Sequence, residues 1–387
     1  MKDPGSQIVY KKHNSFVEIR QKDLKAEETL QRILDICARD ELCRHLSDEY
    51  RKLLAKVIAD LRNPETSESS LKFSLTPNVI YELMSLEDKD LPRYLVHRYR
   101  YEMFPFLKLI DDFPPYLQIE PTSRCNFRCV FCYQTDSDFT NRSGEHMGNM
   151  SAGLFMRIID QAEGNIEFIS LASRGEPLLC PDIETMLGYT RNKFLNLKMN
   201  TNGSLLDDRK CHAILQSGIK TLVFSVDAAD EALYRSLRKG GNLQKVISNI
   251  ERFEQIRRNQ YKDSKIITRV SGVKYCKEQS IESMEQLWGD LVDQVVFVSY
   301  NPWENIYCKT PFNFAEPCSD LWRRMFVWWD GRVNPCDVDY RSKLSVGNAT
   351  TENLSALWKS ETYNQLRSGH LSTHRHEINP CNRCSVV

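Results

Sequence analysis

Apolar side chains between Lys25 and Leu61 recur at helical spacing: Leu30, Ile33, Leu34, Ile36 and Cys37, then Leu53, Leu54, Val57, Ile58 and Leu61. The intervening positions are polar, which predicts amphipathic helices with one buried face. Residues 63–70 form a polar, proline-containing break; helical spacing resumes over 77–103, until Pro105 and Pro114-Pro115 punctuate it. Residues 1–112 read as a helical N-terminal region.

From Tyr116 the period changes. Short β-rich runs at 116–120, 166–172, 196–201, 221–226, 265–270 and 294–298 alternate with helix-length amphipathic segments, the pattern of six βα units around a parallel sheet. The first of those segments opens at a capping residue, Ser151, and stops before Gly164. Six units cannot close an eight-stranded barrel, so the expected fold is α/β: an open, partial (β/α)6 TIM-like barrel over 113–310, one side covered by another part of the chain. Residues 311–387 form a small C-terminal domain. Loops at the C-terminal ends of parallel strands are where chemistry is usually carried.

Charge narrows the partners. Lys plus Arg and Asp plus Glu each number 52, so no net field draws the chain to nucleic acid or to an anionic membrane. The N-terminus has no apolar run before a cleavage site, and stretches such as 294–300 are too short to span a bilayer. A cytoplasmic protein is expected, with neither membrane nor nucleic acid as partner. There the 13 cysteines stay reduced, free for metals or catalysis. Cys37, Cys43, Cys180, Cys211, Cys276 and Cys308 stand singly and read as small buried hydrophobes.

The other cysteines fall in two groups. Cys125, Cys129 and Cys132 are spaced C-x3-C-x2-C in the loop after the first strand. Three ligands on a four-iron cluster leave one iron open to another molecule, whereas a structural zinc site would want a fourth Cys or His in this loop. Cys318, Cys336, Cys381 and Cys384 follow the sixth strand, and four thiols can fully ligate either zinc or a 4Fe-4S cluster.

The first group, C-x3-C-x-aromatic-C after the first strand of a βα series, resembles the radical S-adenosylmethionine (SAM) superfamily over residues 116–300. That resemblance implies a 4Fe-4S cluster on Cys125, Cys129 and Cys132, with SAM chelating the open iron. It also implies reductive cleavage to a 5′-deoxyadenosyl radical that takes hydrogen from substrate, and a reductant partner such as flavodoxin or ferredoxin. Gly175-Glu176-Pro177 resembles the element that receives the SAM amino group, with Arg174 in place of its first glycine. Asn200 and Asn202 after strand three, and Ser225 and Asp227 after strand four, match positions that contact ribose or carboxylate. Phe131 and Tyr133 match residues near the adenine.

The second group resembles the shortened SPASM, or twitch, domain, in which a hairpin and a distal C-x2-C complete one auxiliary 4Fe-4S cluster. Residues 326–335 read as that hairpin, with Asp330-Gly331 in the tight turn. The ligand spacing is similar to that of 2-deoxy-scyllo-inosamine dehydrogenases, an aminocyclitol-oxidising group. Asp337, Asp339 and Tyr340 are either pocket lining or a polar loop, and His374 and His376 read as surface residues.

A cluster with four protein ligands has no place for substrate and is suited to moving an electron. The resemblance thus implies a radical SAM oxidoreductase that turns an alcohol of a small polar substrate, a sugar, cyclitol or nucleotide-linked glycan precursor, into a ketone. Arg269, Tyr300 and Glu304 lie at strand ends where a catalytic group is wanted, Arg269 as an electrostatic aid rather than a base. Peptide modification, redox-neutral epimerisation or dehydration, and a non-enzymatic iron-sulfur electron carrier are the alternatives.

Overall fold

The computed structural model describes residues 16–387 apart from 23, 45, 64–71, 142–144 and 312–313. Most of the polar break expected at 63–70 lies outside the described residues.

Helices α1 (Ala26–Cys37), α2 (Asp48–Arg62), α3 (Pro77–Met84) and α4 (Leu91–Leu107) follow the apolar spacing of the N-terminal region. Ser47 and Thr76 cap α2 and α3, their side-chain oxygens accepting the Tyr50 and Val79 amides. Ile33, Ile36, Leu54, Val57, Val79, Leu83 and Leu95 meet in one core beneath the barrel, joined by Phe168 and Leu195.

Pro105 does not end α4, as its position suggested; the helix runs on to Leu107 and stops at Lys108, in the left-handed region at φ 56°. A proline inside a helix frees the carbonyl four residues back. Here that carbonyl, Tyr101 O, accepts a hydrogen bond of 2.9 Å from the buried Arg323 Nε. Arg323→Met should leave it unsatisfied and cost about 1–3 kcal/mol, measured by chemical denaturation.

The main sheet has ten strands among the described residues. In chain order these are β1 (Phe16–Gln21), β2 (Tyr116–Ile119), β3 (Phe168–Leu171), β4 (Asn196–Thr201), β5 (Ile219–Ser225), β6 (Ile267–Lys274) and β7 (Gln294–Ser299), then β8 (Arg324–Val327), β9 (Arg332–Asn334) and β10 (Gly347–Asn348). Their spatial order is β1-β7-β6-β5-β4-β3-β2-β8-β9-β10. Strands β2 to β7 are the six parallel strands of the expected partial barrel. Helix α5 (Ala152–Ala162) is capped by Ser151 and followed by Gly164 at φ 77°, matching the sequence signals.

Both sheet edges differ from expectation. β1, in a region read as helical, pairs antiparallel with β7. The C-terminal hairpin is annealed to the barrel: β8 lies parallel to β2, and Gly331 at φ 84° makes the turn to β9.

Side-chain alternation along the strands positions the site. Leu117, Ile119, Leu197, Met199, Leu222 and Phe224 face the helices in the main core. The alternate positions, Gln118, Ser170, Lys198, Asn200, Ser225 and Ser271, face the barrel interior. Strands of a parallel sheet buried on both faces are normally apolar on both; this inner face instead mixes those polar side chains with Val223, Val273 and Val298. Among the described residues no helix is long and apolar enough to cross a membrane.

Candidate active site

The barrel holds two adjoining chambers. The upper, about 400 Å³, lies at the C-terminal strand ends and is walled by Cys125, Cys129 and Cys132. The lower, about 350 Å³, reaches down to Asn78, Glu82 and Arg98 of the N-terminal helices, which form its floor.

The cysteine loop is held on several sides. Its Arg128–Cys129 segment pairs antiparallel with Arg238–Lys239. Gln134 Nε2 donates to Ser123 O and Arg174 O, and the Glu176 amide donates to Arg124 O. Gly175 lies so close to this loop that a Cβ would overlap the Thr122 and Arg124 carbonyls. Each sulfur accepts one hydrogen bond: Cys125 from the Phe127 amide, Cys132 from the Gln134 amide, and Cys129 from Arg238 at 3.7 Å. Burial pushes the Cys125 thiol up to about 12, and raises those of Cys129 and Cys132. Thiols so buried ionise readily only when a cation compensates the charge.

Of the residues expected to meet SAM, Phe131, Tyr133, Gly175, Glu176, Asn200, Asn202 and Ser225 all line the upper chamber. Asp227 does not. It is fully buried behind the wall, accepting from the Val273 amide and ion-paired with Arg238 Nε at 2.5 Å. Its charge serves to hold Arg238, a chamber residue that sequence reasoning missed. Glu176 accepts from Thr201 Oγ1 (2.6 Å) and from the Asn202 and Leu178 amides (2.7 and 3.2 Å), fastening the end of β4, while burial raises its carboxyl. Asn202 bonds Asn126 of the cysteine loop.

Three further residues were expected near substrate. Tyr300 lines the upper chamber, but its hydroxyl donates to Glu304 Oε1 at 2.6 Å, and burial with that carboxylate raises its pKa. Glu304 is buried and not among the lining residues of either chamber. Arg269 belongs to the lower chamber, bonded to Gln294 and Asn78; burial lowers it to about 10, so it stays charged near neutrality.

The second cysteine group sits beside the first. Cys318, Cys336 and Cys384 share a small core with Cys132, Tyr133 and Tyr340. Tyr133, next to Cys132, stacks on Tyr340 with centroids 4.9 Å apart. Cys381 opens the short turn that ends at Cys384, whose amide donates to the Cys381 carbonyl at 3.2 Å. Buried Arg375 gathers the terminal turn by donating to the carbonyls of Glu316, Cys381, Cys384 and Val386. Asp337 lines both chambers, whereas Asp339 is buried as an acceptor for Tyr307, Lys343 and Leu344. His374 and His376 are exposed; of the single cysteines Cys43, Cys180 and Cys211 are buried as expected, whereas Cys37 and Cys276 are only partly buried and Cys308 is exposed.

Arg174 ties the two parts together. Its guanidinium makes a two-pronged, fully buried ion pair with Glu120 at the end of β2 (2.6 and 2.7 Å), donates to Tyr340 O (2.8 Å) and lies 4.1 Å over Trp328 of the hairpin.

Among the described residues no three His, Cys, Asp or Glu converge as around one metal ion; Cys125, Cys129 and Cys132 line one chamber wall. Beside them, Ser173 Oγ and Asn200 Oδ1 are buried without a hydrogen-bond partner. Both suit a ligand carrying an ammonium and hydroxyl groups, as SAM does.

The family model of the radical SAM superfamily matches residues 119–270, and that of an iron-sulfur cluster-binding domain, SPASM, matches 318–385. The chain is 23% identical to the tungsten-containing aldehyde ferredoxin oxidoreductase cofactor-modifying protein of Pyrococcus furiosus, over 70% of this chain and 87% of that one. It is 21% identical to the S-adenosyl-L-methionine-dependent 2-deoxy-scyllo-inosamine dehydrogenase of Niallia circulans, over 70% and 92%. Among solved structures, Streptococcus suis SuiB bound to precursor peptide SuiA shares the fold with a TM-score of 0.52 and 16% identity, over 93% of this chain and 92% of that one.

Proposed function

Because the chain belongs to the radical SAM superfamily and carries a SPASM domain, we propose that it oxidises an alcohol of a small polar molecule, a sugar, cyclitol or nucleotide-linked glycan precursor, to a ketone. In this reading Cys125, Cys129 and Cys132 hold the cluster that binds SAM, and Cys318, Cys336, Cys381 and Cys384 hold an auxiliary 4Fe-4S cluster. When bound, these groups supply a 5′-deoxyadenosyl radical that removes hydrogen and a one-electron acceptor. Ser173, Asn200, Ser225 and Phe131, which line the upper chamber, would hold SAM there, with Glu176 and Asn202 keeping the surrounding loops in place. Helices α3 and α4 of the N-terminal region close the floor, the barrel of the 113–310 region forms the reaction chamber, and the cysteines of the 311–387 region hold the acceptor. The cytoplasm, where thiols stay reduced and a flavodoxin or ferredoxin is at hand, is the fitting compartment.

The observation that carries this reading is the row of polar side chains on the barrel wall, in a chamber that holds the first cysteine group and reaches Asp337, the residue after Cys336. The two chambers, of about 400 and 350 Å³, fall within the range of small-molecule pockets. Among the described residues Thr221 Oγ1 of the lower chamber is buried without a hydrogen-bond partner, a group that could meet a hydroxyl-bearing substrate.

The test is an anaerobic assay of the reconstituted protein with SAM, reductant and a panel of cyclitols, aminocyclitols and sugar nucleotides, 2-deoxy-scyllo-inosamine among them. One ketone should form for each 5′-deoxyadenosine. A product isomeric with its substrate, or a modified peptide in place of any ketone, would overturn the reading.

A further inference from the structure

Lys198 stands out on the chamber wall. Strand β4 alternates, burying Leu197 and Met199 against the helices and turning Asn196, Lys198 and Asn200 inward. Lys198 lines both chambers, and its amine makes no hydrogen bond or ion pair among the described residues. The cations around it are tied elsewhere. Arg269 on β6 bonds Gln294, and Arg324 on β8 bonds Tyr101 Oη at 2.7 Å. Arg238 is paired with Asp227, and Arg98 on α4 with Glu102. Glu82, on α3, accepts from Asn78, Tyr94 and Asn196. Asp337 and Tyr116 complete the ionisable groups shared by the two chambers.

Burial lowers the Lys198 ammonium to about 7, with Arg269 and Arg324 adding to the effect and Glu82 opposing it. The neutral amine is thus present above that pH and lost below it. The strand-end residues expected near substrate or SAM are less suited: Arg269 stays charged, Tyr300 is locked to Glu304, and Asp227 is buried behind Arg238; the carboxylates of Asp337 and Glu82 also face the chambers.

We propose that Lys198 is the proton acceptor of the reaction, its neutral amine taking the hydroxyl proton of a substrate seated across the two chambers. This rests on the alcohol-oxidation reading above. Conversion of an alcohol to a ketone removes two protons and two electrons. One of each leaves the carbinol carbon as a hydrogen atom to the SAM-derived radical. The second electron goes to the auxiliary iron-sulfur cluster. The second proton leaves as the O–H bond breaks and an N–H bond forms on Nζ, making the ammonium.

The test begins on the anaerobic holoenzyme without substrate. Acetic anhydride labelling in a pH series, read by peptide mass spectrometry, should give Lys198 a midpoint near 7 against about 10.4 for unperturbed lysines. With a substrate deuterated at the carbinol carbon, Lys198→Met and Lys198→Arg should both lower ketone formation by about 10²-fold or more, while deuterium still reaches 5′-deoxyadenosine. Arginine keeps the charge but cannot accept the proton, so an electrostatic role would be rescued by it and a proton acceptor would not. Labelling near 10.4, or full ketone formation by Lys198→Arg, would overturn the role of Lys198 and leave the oxidation reading standing. Absence of ketone from the parent enzyme with every alcohol would overturn both.

Discussion

Cys125→Ala should reduce SAM-dependent formation of 5′-deoxyadenosine to the no-enzyme background and lower the iron content of the reconstituted protein from about eight to about four per chain. The sulfur is on the chamber wall with those of Cys129 and Cys132. Two thiolates cannot hold a four-iron cluster with a single open iron against chelation and solvent. Cys180→Ala, which removes a thiol from the apolar core instead, should leave both iron and 5′-deoxyadenosine at the parent level. Chromatography of the nucleoside and iron analysis on the same samples check both expectations.

Glu120→Ala should be the most destabilising single change in the site, costing about 3–5 kcal/mol. It leaves the guanidinium of Arg174 charged and fully buried, with its ion pair at 2.6 Å gone and only a carbonyl and aromatic faces around it. The loss should appear in anaerobic chemical denaturation. The double variant Glu120→Ala/Arg174→Ala should recover part of it, because the stranded charge is removed as well. SAM binding should weaken too, since Arg174 immediately precedes Gly175 and Glu176 in the chamber wall.

The same ion pair shows what a sequence holds and what it hides. Spacing alone located both cysteine groups and the six parallel strands, because ligand patterns and strand periodicity are local properties of the chain. Arg174 was visible only as a departure from a glycine pattern. Its partner Glu120 lies 54 positions away and its other neighbours, Trp328 and Tyr340, are further still. The edge strands were hidden for a similar reason. The alternation of Phe16–Gln21 is too short to outweigh the helical pattern after it, and its partner is the last barrel strand.

Asp227 and Arg238 make the complementary point. Matching a motif placed Asp227 at the right strand end but could not tell which way its carboxylate points; the structure turns it onto Arg238, which carries the contact to Cys129. The alternation of Asn196, Lys198 and Asn200 with apolar residues was a signal available in the sequence. Polar residues at every second position of a central parallel strand mark an inner face that meets a ligand rather than a core. That pattern marks Lys198 as a chamber residue.

The account stands on two clusters, one held on the chamber wall and one held by the neighbouring cysteine group. Iron and zinc analysis with Mössbauer spectroscopy of the anaerobically reconstituted protein, before and after adding SAM, tests this most directly. About eight irons per chain in two 4Fe-4S clusters, only one of which changes on adding SAM, is the predicted result. About four irons with one zinc would contradict it, for a redox-inert zinc at the auxiliary site could not accept the substrate's electron.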